Sequence, residues 1–462
     1  MKSTDITLGY GDTELCGFIP QAWIDDGHYL PLVMPPVRRP IANPAAALTA
    51  AFEKPVGEMP SLGTLVQRCY RGGDVAVMVD DYTRPNDHTR LLLPILVQIL
   101  QRDYGIPAGK VKAVICSGTH RAPTATEMEA IVGREMMPHI RIAVHDCRKN
   151  LAKIGEVEGR PLEISRDVVE SDLVIPLTDM DNHYFAGVAG GPKAFCPGVC
   201  SNEIITWEHL HMFSDTGFAD NVALGVLDGN PVYECKKKIV GAIFAALKAR
   251  GTEVYCLAAV MDPGGEMVYL RGGETFALHR DAAKKLAEVW TVTLPKRPDV
   301  VIAGARALGI NLYQAGKAIH AAYTAVARGG HIMTPVPCQD GFGNAEYRNL
   351  MKVAAGAMAG ESDHAAAFRK GTFAVLEVVR RYFKIGKQKA VDFFRILDYV
   401  GWGHLHIIQD GLSEEDKKIL PFEFWGKEGE PALARLKGWV GKFCPGKSVT
   451  VMDDPGYVVR IG

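Results

Sequence analysis

Apolar positions along this chain fall into two alternating rhythms. Short runs of branched residues that stop at breakers have the form of buried strands; they occupy 74–79, 111–116, 140–144 and 172–177. Stretches with helical spacing follow them, over 89–102, from near Thr124, and from 198 towards 210. Thr124 and Glu127 stand at the spacing of a capping box. The pattern then predicts helices over 235–250 and 275–290 and a strand over 253–260. A stiff Pro-Lys-Arg-Pro link at 295–298 introduces a second series. It holds a strand at 299–303, a helix at 312–328, a strand at 331–334, helices at 365–383, 386–398 and 431–443, and a strand at 448–452. The first ~60 residues show short β-like pieces among many prolines. Repeated strand–turn–helix units imply an α/β fold with parallel sheets. Two α/β domains are expected: 1–290, and 296–446, with the tail 447–462 able to return to the first.

Length supports that division, since 462 residues exceed one ordinary core. Hydrophobic content of 47% with 23% charged residues describes a folded globular chain. A net charge of −1 gives no electrostatic footprint for nucleic acid or an anionic membrane surface. The longest apolar run, 91–100, is interrupted by Pro94 and is too short to span a bilayer. The N-terminal segment lacks the apolar stretch of a secretory signal, so a cytoplasmic location is expected. Of the 10 cysteines, Cys196 and Cys200 lie four apart, but no second such pair completes a zinc site. Reduced buried thiols are the simpler reading.

Chemistry concentrates in 182–209. A predicted strand ends there in a Gly-Gly-Pro-Lys turn that opens into a helix, an arrangement suited to holding an anion. Lys193 in the turn can pair with an anion or, if desolvated, act as a nucleophile. His183 precedes the turn, and His209 lies on the following helix. Asp81, Arg84, His120 and His183 all fall just beyond predicted strands, where parallel α/β sheets bind ligands. Each feature also has an ordinary explanation. Asp81 and Arg84 can be a local turn pair, His120 a structural histidine, and Tyr313 with Lys317, on one helical face, a surface turn. Two residues along a helix turn His211 about 200° away from the direction of His209. His145 is open between a supporting role and a cap; His404 and His406 alternate without a partner motif.

Taken together these segments resemble the lactate racemase family, whose members carry a nickel-pincer nucleotide. Its motif H-x-F-x-G-x-x-G-G-x-K, with a histidine sixteen residues after the lysine, is met by His183, Phe185, Gly187, Gly190, Gly191, Lys193 and His209. Pro192 departs from the pattern and removes one N–H donor from the turn. D-x-T-R is met by Asp81, Tyr82, Thr83 and Arg84, G-x-H-R by Gly118 to Arg121, and Y-Q-x-x-K by Tyr313, Gln314 and Lys317. The matches keep their order over most of the first ~320 residues. The resemblance implies a cofactor and substrate cleft between the two domains. It implies a nucleotide contacted by Asp81, Tyr82, Thr83, Arg84, Gln314 and Lys317, tethered through Lys193, with His209 as nickel ligand. His120 and His183 would be the acid/base pair, and Arg84, Tyr313 and Lys317 would bind a small 2-hydroxy acid. Enzymes that synthesise the cofactor would be needed for activity. An aromatic residue of the second domain is also expected near the substrate, with Phe373, Phe383 and Trp402 as candidates.

The implied chemistry is coherent. A Cα hydrogen of a 2-hydroxy acid is too weakly acidic for a bare side-chain base. It leaves more readily as hydride once the hydroxyl proton has gone, and histidine suits that proton transfer near neutral pH. No amino acid offers an electron-poor carbon for the hydride, so a cofactor is required. Imidazole and sulfur in a tetragonal set suit Ni(II). Two other readings stay open: a zinc hydrolase or lyase built on His120, His183 and His209, and a non-catalytic small-molecule binder on the same fold. A binder has no need of two acid/base histidines and the lysine together.

Overall fold

The computed structural model describes residues 1–427 and 429–462. The chain forms two compact units: Pro36–Met212 with Asp220–Trp290, and Met1–Pro35 with Phe213–Ala219 and Thr291–Gly462.

The first unit is built on a seven-stranded sheet. Its strands are β1 (Asp74–Val79), β2 (Val111–Ile115), β3 (Arg141–Val144), β4 (Ser171–Asp179), β5 (Glu253–Val254), β6 (Cys256–Met261) and β7 (Met267–Gly273). The order is β7-β6-β4-β1-β2-β3, with β5 also on β4. All pairings are parallel except that of the edge strand β7. Val75, Val77 and Val79 of β1 and Leu173, Ile175 and Leu177 of β4 are almost wholly buried. Their alternate residues are buried too, as expected for a parallel sheet covered on both faces. Helix α1 (Asp87–Tyr104) follows β1 and ends at Gly105, whose left-handed backbone (φ 67°) closes the last turn. Helix α2 (Ala125–Val132) follows β2 and opens with the expected capping box: Glu127 N donates to Thr124 Oγ1, and Thr124 N to the Glu127 carboxylate.

Between β1 and β4 the connections reverse direction across the sheet. This is the switch point at which α/β sheets open a crevice beyond their carboxyl ends. The loops leaving these two strands, 80–86 and 180–191, carry most of the chemistry described below.

The second unit has a five-stranded, all-parallel sheet of β8 (Val300–Ala303), β9 (His331–Pro335), β10 (Leu405–Ile408), β11 (Glu423–Phe424) and β12 (Val449–Met452), in the order β11-β10-β9-β8-β12. Here the structure corrects the expected domain limits. Residues 1–35 belong to the second unit: Leu8, Leu15, Phe18, Ile19 and Tyr29 share a core with Val300, Ile302, Trp439 and Val449. The tail does not return to the first domain either, since β12 pairs with β8 and Leu30 N donates to Val449 O. The expected β-like N-terminus is one hairpin, Thr7–Tyr10 with Thr13–Cys16, followed by helical segments. Among the described residues no helix is long and apolar enough to cross a membrane.

Candidate active site

At the end of β1, Asp81 is buried in a tight turn, with Oδ1 accepting from Thr83 N and Thr83 Oγ1 at 3.1 and 2.6 Å. Its Oδ2 lies 2.5 Å from His120 Nδ1, in the turn that follows β2. Burial alone would raise the Asp81 carboxyl, but the bonds from His120 and Thr83 outweigh it and hold it below the ordinary carboxylate value. A proton on His120 Nδ1 faces the Asp81 carboxylate, which leaves Nε2 outside that contact. Arg121 lies over the Tyr82 ring at 4.1 Å and pairs with Glu127, which fixes the opposite side of this turn.

The loop after β4 carries His183 in a short hairpin, Asn182–His183 with Gly187–Val188. Its Nδ1 accepts from Ala186 N at 3.3 Å, and its ring contacts those of Tyr184 and Phe185. Phe185 also meets His209, centroid to centroid at 5.2 Å, so one phenyl ring spaces the two histidines. Gly187 is obligatory here: at φ 77°, an added Cβ would stand 1.9 Å from Val226 O.

Two contacts tie these loops together across the switch point. Arg84 Nη1 donates to Asp181 Oδ2 at 2.5 Å, and Asp179 N to Asp80 Oδ2 at 3.3 Å. Burial and the nearby Asp181 and Asp80 carboxylates push the Asp179 carboxyl well above its ordinary range. The Gly-Gly-Pro-Lys turn is anchored from behind, by Gly191 N donating to Thr178 Oγ1 and by His279 facing Ala189 O. Pro192 begins the one-turn helix α3 (Pro192–Phe195), where a missing N–H leaves no helical bond unmade. Gly118 N donates to Gly198 O, which brings the His120 turn against the segment leaving Lys193.

His209 lies in the last turn of α4 (Asn202–Leu210), which Ser201 caps. Its Nδ1 faces Ile205 O at 2.9 Å, which directs Nε2 away from the helix backbone. His211 has left the helix and turns its Nδ1 to Trp207 O. His145 is a structural tie, its Nε2 meeting Cys200 O at 3.0 Å, and burial lowers it to about 4. Asp81, Tyr82, Thr83, Arg84, His120, His183, Lys193 and His209 thus all belong to the first unit.

The remaining expected residues lie in the second unit, on helix α5 (Leu312–Ala325), which Asn311 caps through Gln314 N. Tyr313 Oη accepts from Gln388 Nε2 at 3.4 Å, and burial pushes the phenol up to about 12. Gln314 and Lys317 are half-buried on the same helix. Of the candidate aromatics, Phe383 is packed against Phe213, Trp402 against His364, and Phe373 is exposed. His404 and His406 have a partner that the sequence pattern did not reveal. His331 of β9 stacks on the first at 4.0 Å and bonds the second at 3.1 Å. Sequence reasoning also missed Asp181, two residues before His183, and the Glu208 carboxylate beside His209. Their adjacency to motif histidines was the available signal.

The first unit is therefore a doubly wound α/β unit with the Asp81–His120 contact, His183 and a lysine-bearing turn in the loops at its switch point. Residues 21–220 match the family model described as lactate racemase N-terminal domain. The lactate racemase of Thermoanaerobacterium thermosaccharolyticum is 31% identical over 284 residues, which cover 60% of this chain and 63% of that protein. The lactate racemase of Lactiplantibacillus plantarum is 26% identical over 289 residues, covering 61% and 64%. The matched region thus spans a little under two thirds of each of these relatives. The structure of the T. thermosaccharolyticum lactate racemase apoprotein superposes with a TM-score of 0.74 at 24% identity, covering 98% of this chain and 99% of that one. A Thermotoga maritima protein superposes with a TM-score of 0.64 at 16% identity, covering 92% and 100%, and shares the fold. The chain is thus similar to lactate racemases and shares the fold of the apoprotein.

Proposed function

We propose that this protein is a racemase or epimerase of a 2-hydroxy acid, with lactate, named for its relatives, as the first substrate to test. What supports the reading is that the Asp81–His120 pair, the His183–Phe185–His209 rings and the Lys193 turn belong to one unit. Gly118 N is bonded to Gly198 O between the His120 turn and the segment after Lys193, and all lie within residues that match the lactate racemase N-terminal domain.

A nickel-pincer nucleotide fits the donor set: an amine on a glycine turn for a tether, and one imidazole whose Nδ1 is occupied by a carbonyl. When bound, that group would supply the electron-poor carbon needed for reversible hydride transfer. Lys193 would hold it covalently and His209 would ligate its metal. His120, with Nδ1 fixed on Asp81, is set to take the hydroxyl proton at Nε2. His183, accepting at Nδ1 from Ala186 N, carries its own proton at Nε2 and is set to give it. Tyr313, Gln314 and Lys317 are proposed to complete cofactor and substrate binding. Arg84 is engaged by Asp181, so in this state its fork is directed to the loop of His183. The zinc alternative needs a cage of protein ligands, and among the described residues no group of three or more His, Cys, Asp or Glu is placed to hold a metal ion. A single His209 ligand makes no such demand.

The test is intact mass and polarimetry of protein produced in cells that synthesise the cofactor. An adduct that maps to Lys193 with lactate racemisation is expected. An active protein without adduct, or an adduct elsewhere, would remove the proposal.

A further inference from the structure

His120 and His183 stand on loops that leave different strands, and one chain of contacts runs between them. His120 Nδ1 meets Asp81 Oδ2 at 2.5 Å. Arg84 closes the same turn, its N donating to Asp81 O at 3.1 Å, and Asn86 Nδ2 donates to the carbonyls of both Asp81 and Arg84. The Arg84 guanidinium then reaches Asp181 Oδ2 at 2.5 Å. Asp181 lies two residues before His183, and its carbonyl accepts from Ala189 N at 2.7 Å, at the base of the hairpin.

The surroundings of Arg84 explain why Asp181 is its partner. Asp80, Asp81 and Asp179 also attract the guanidinium. Asp81, however, is committed to Thr83 and His120. Asp80 accepts from Asp179 N and faces His88 Nε2 at 3.5 Å, and burial raises the Asp179 carboxyl. The pair that results is a poor stabiliser of the fold as a whole: its side chains are 17% and 36% exposed, and such ion pairs contribute little. Its effect is local. The hairpin of His183 has two paired residues on each strand. Gly225 N on Gly187 O and Asn230 Nδ2 on Phe185 O hold its far end. Arg84 holds the near end, next to His183, towards the loop after β1. We propose that Asp181 is a positioning residue: through Arg84 it fixes the His183 hairpin against the turn that carries Asp81 and His120, and so sets the spacing of the two histidines. The catalytic consequence rests on the function proposed above; the tie itself does not.

The first arm of the test is hydrogen exchange in the full-length, cofactor-free protein, read by mass spectrometry on peptides spanning 182–190. Asp181→Ala, which removes the acceptor, should speed exchange there about 5-fold, as should Arg84→Met. The two together should do no more than either alone. The second arm is single-turnover bleaching of cofactor absorption in loaded protein. Asp181→Ala should slow the stereoisomer that His183→Ala loses by about 10–10²-fold and leave its mirror image near the wild-type rate. Wild-type exchange over 182–190 in both single variants overturns the proposal, and so do effects that add in the double variant. Equal slowing of both stereoisomers overturns it as well, because a general loosening of the fold would give that result. If His183→Ala shows no stereoisomer preference, the two-base reading falls, and the exchange data alone decide whether Asp181 holds the hairpin.

Discussion

His120 and His183 present opposite faces of the same chemistry, one with Nδ1 donating to a carboxylate, the other with Nδ1 accepting from a backbone N–H. If each serves one stereoisomer, removing either should abolish full racemisation. Single-turnover bleaching of cofactor absorption should separate them: His120→Ala and His183→Ala are expected to retain opposite stereoisomers, with the lost one slowed about 10²–10⁴-fold. Equal bleaching by both isomers in both variants would end the two-base model. Lys193→Ala should stay folded and lose the adduct mass entirely. These residues stand out in the sequence because each sits in a short motif with fixed spacing. Their orienting partners were not. The Asp81–His120 contact joins positions 39 apart and Arg84–Asp181 positions 97 apart, and no local pattern announces which strand ends will become neighbours.

At the scale of elements, the expected sheet strands formed because they are continuous apolar runs covered on both faces. The helix Ala345–Met358, the hairpin Leu151–Val157 with Arg160–Ser165 and the edge strand Met267–Gly273 were not read from the sequence. The first ~60 residues were harder to read: their one hairpin alternates weakly, and prolines interrupt the rest. Helix α4 offers a direct check on the metal assignment. His209→Ala should lose nickel from loaded protein and His211→Ala should keep it, since the latter residue turns its Nδ1 back to Trp207 O beyond the helix end. Gly187 tests the hairpin that carries His183. Gly187→Ala forces a left-handed alanine against Val226 O, and should cost more than about 2 kcal/mol in denaturant unfolding. A variant of wild-type stability would mean that the hairpin can reshape around the methyl group.

Across the whole molecule, buried neutral histidines set a common response to acid. Burial lowers His145 to about 4, and His279 and His406 to about 3, from an ordinary value near 6.5. The unfolded chain therefore binds protons that the folded one refuses, so stability is intact above about pH 7 and falls as pH drops through 6.5 towards 4. Each such group costs about 1.4 kcal/mol by pH 5.5. Urea midpoints at pH 7.5 and 5.5 should differ accordingly, and equal midpoints would show that these rings accept protons without penalty. The division into two units was legible near residue 290, but not the membership of the N-terminal segment, which depends on a pairing across more than four hundred positions. That pairing bears on biosynthesis. Tyr29 and Leu30 seat against Val449, so they have no place to go until the ribosome has passed it. At about 5–20 residues per second, the wait is on the order of 20–80 s. In that interval 36–290 can complete its own sheet, while the leading segment, with its apolar Leu8, Phe18 and Ile19, travels unpaired. Residues 1–35 are thus among the last of this chain to fold, and during that time a chaperone has its longest access to them.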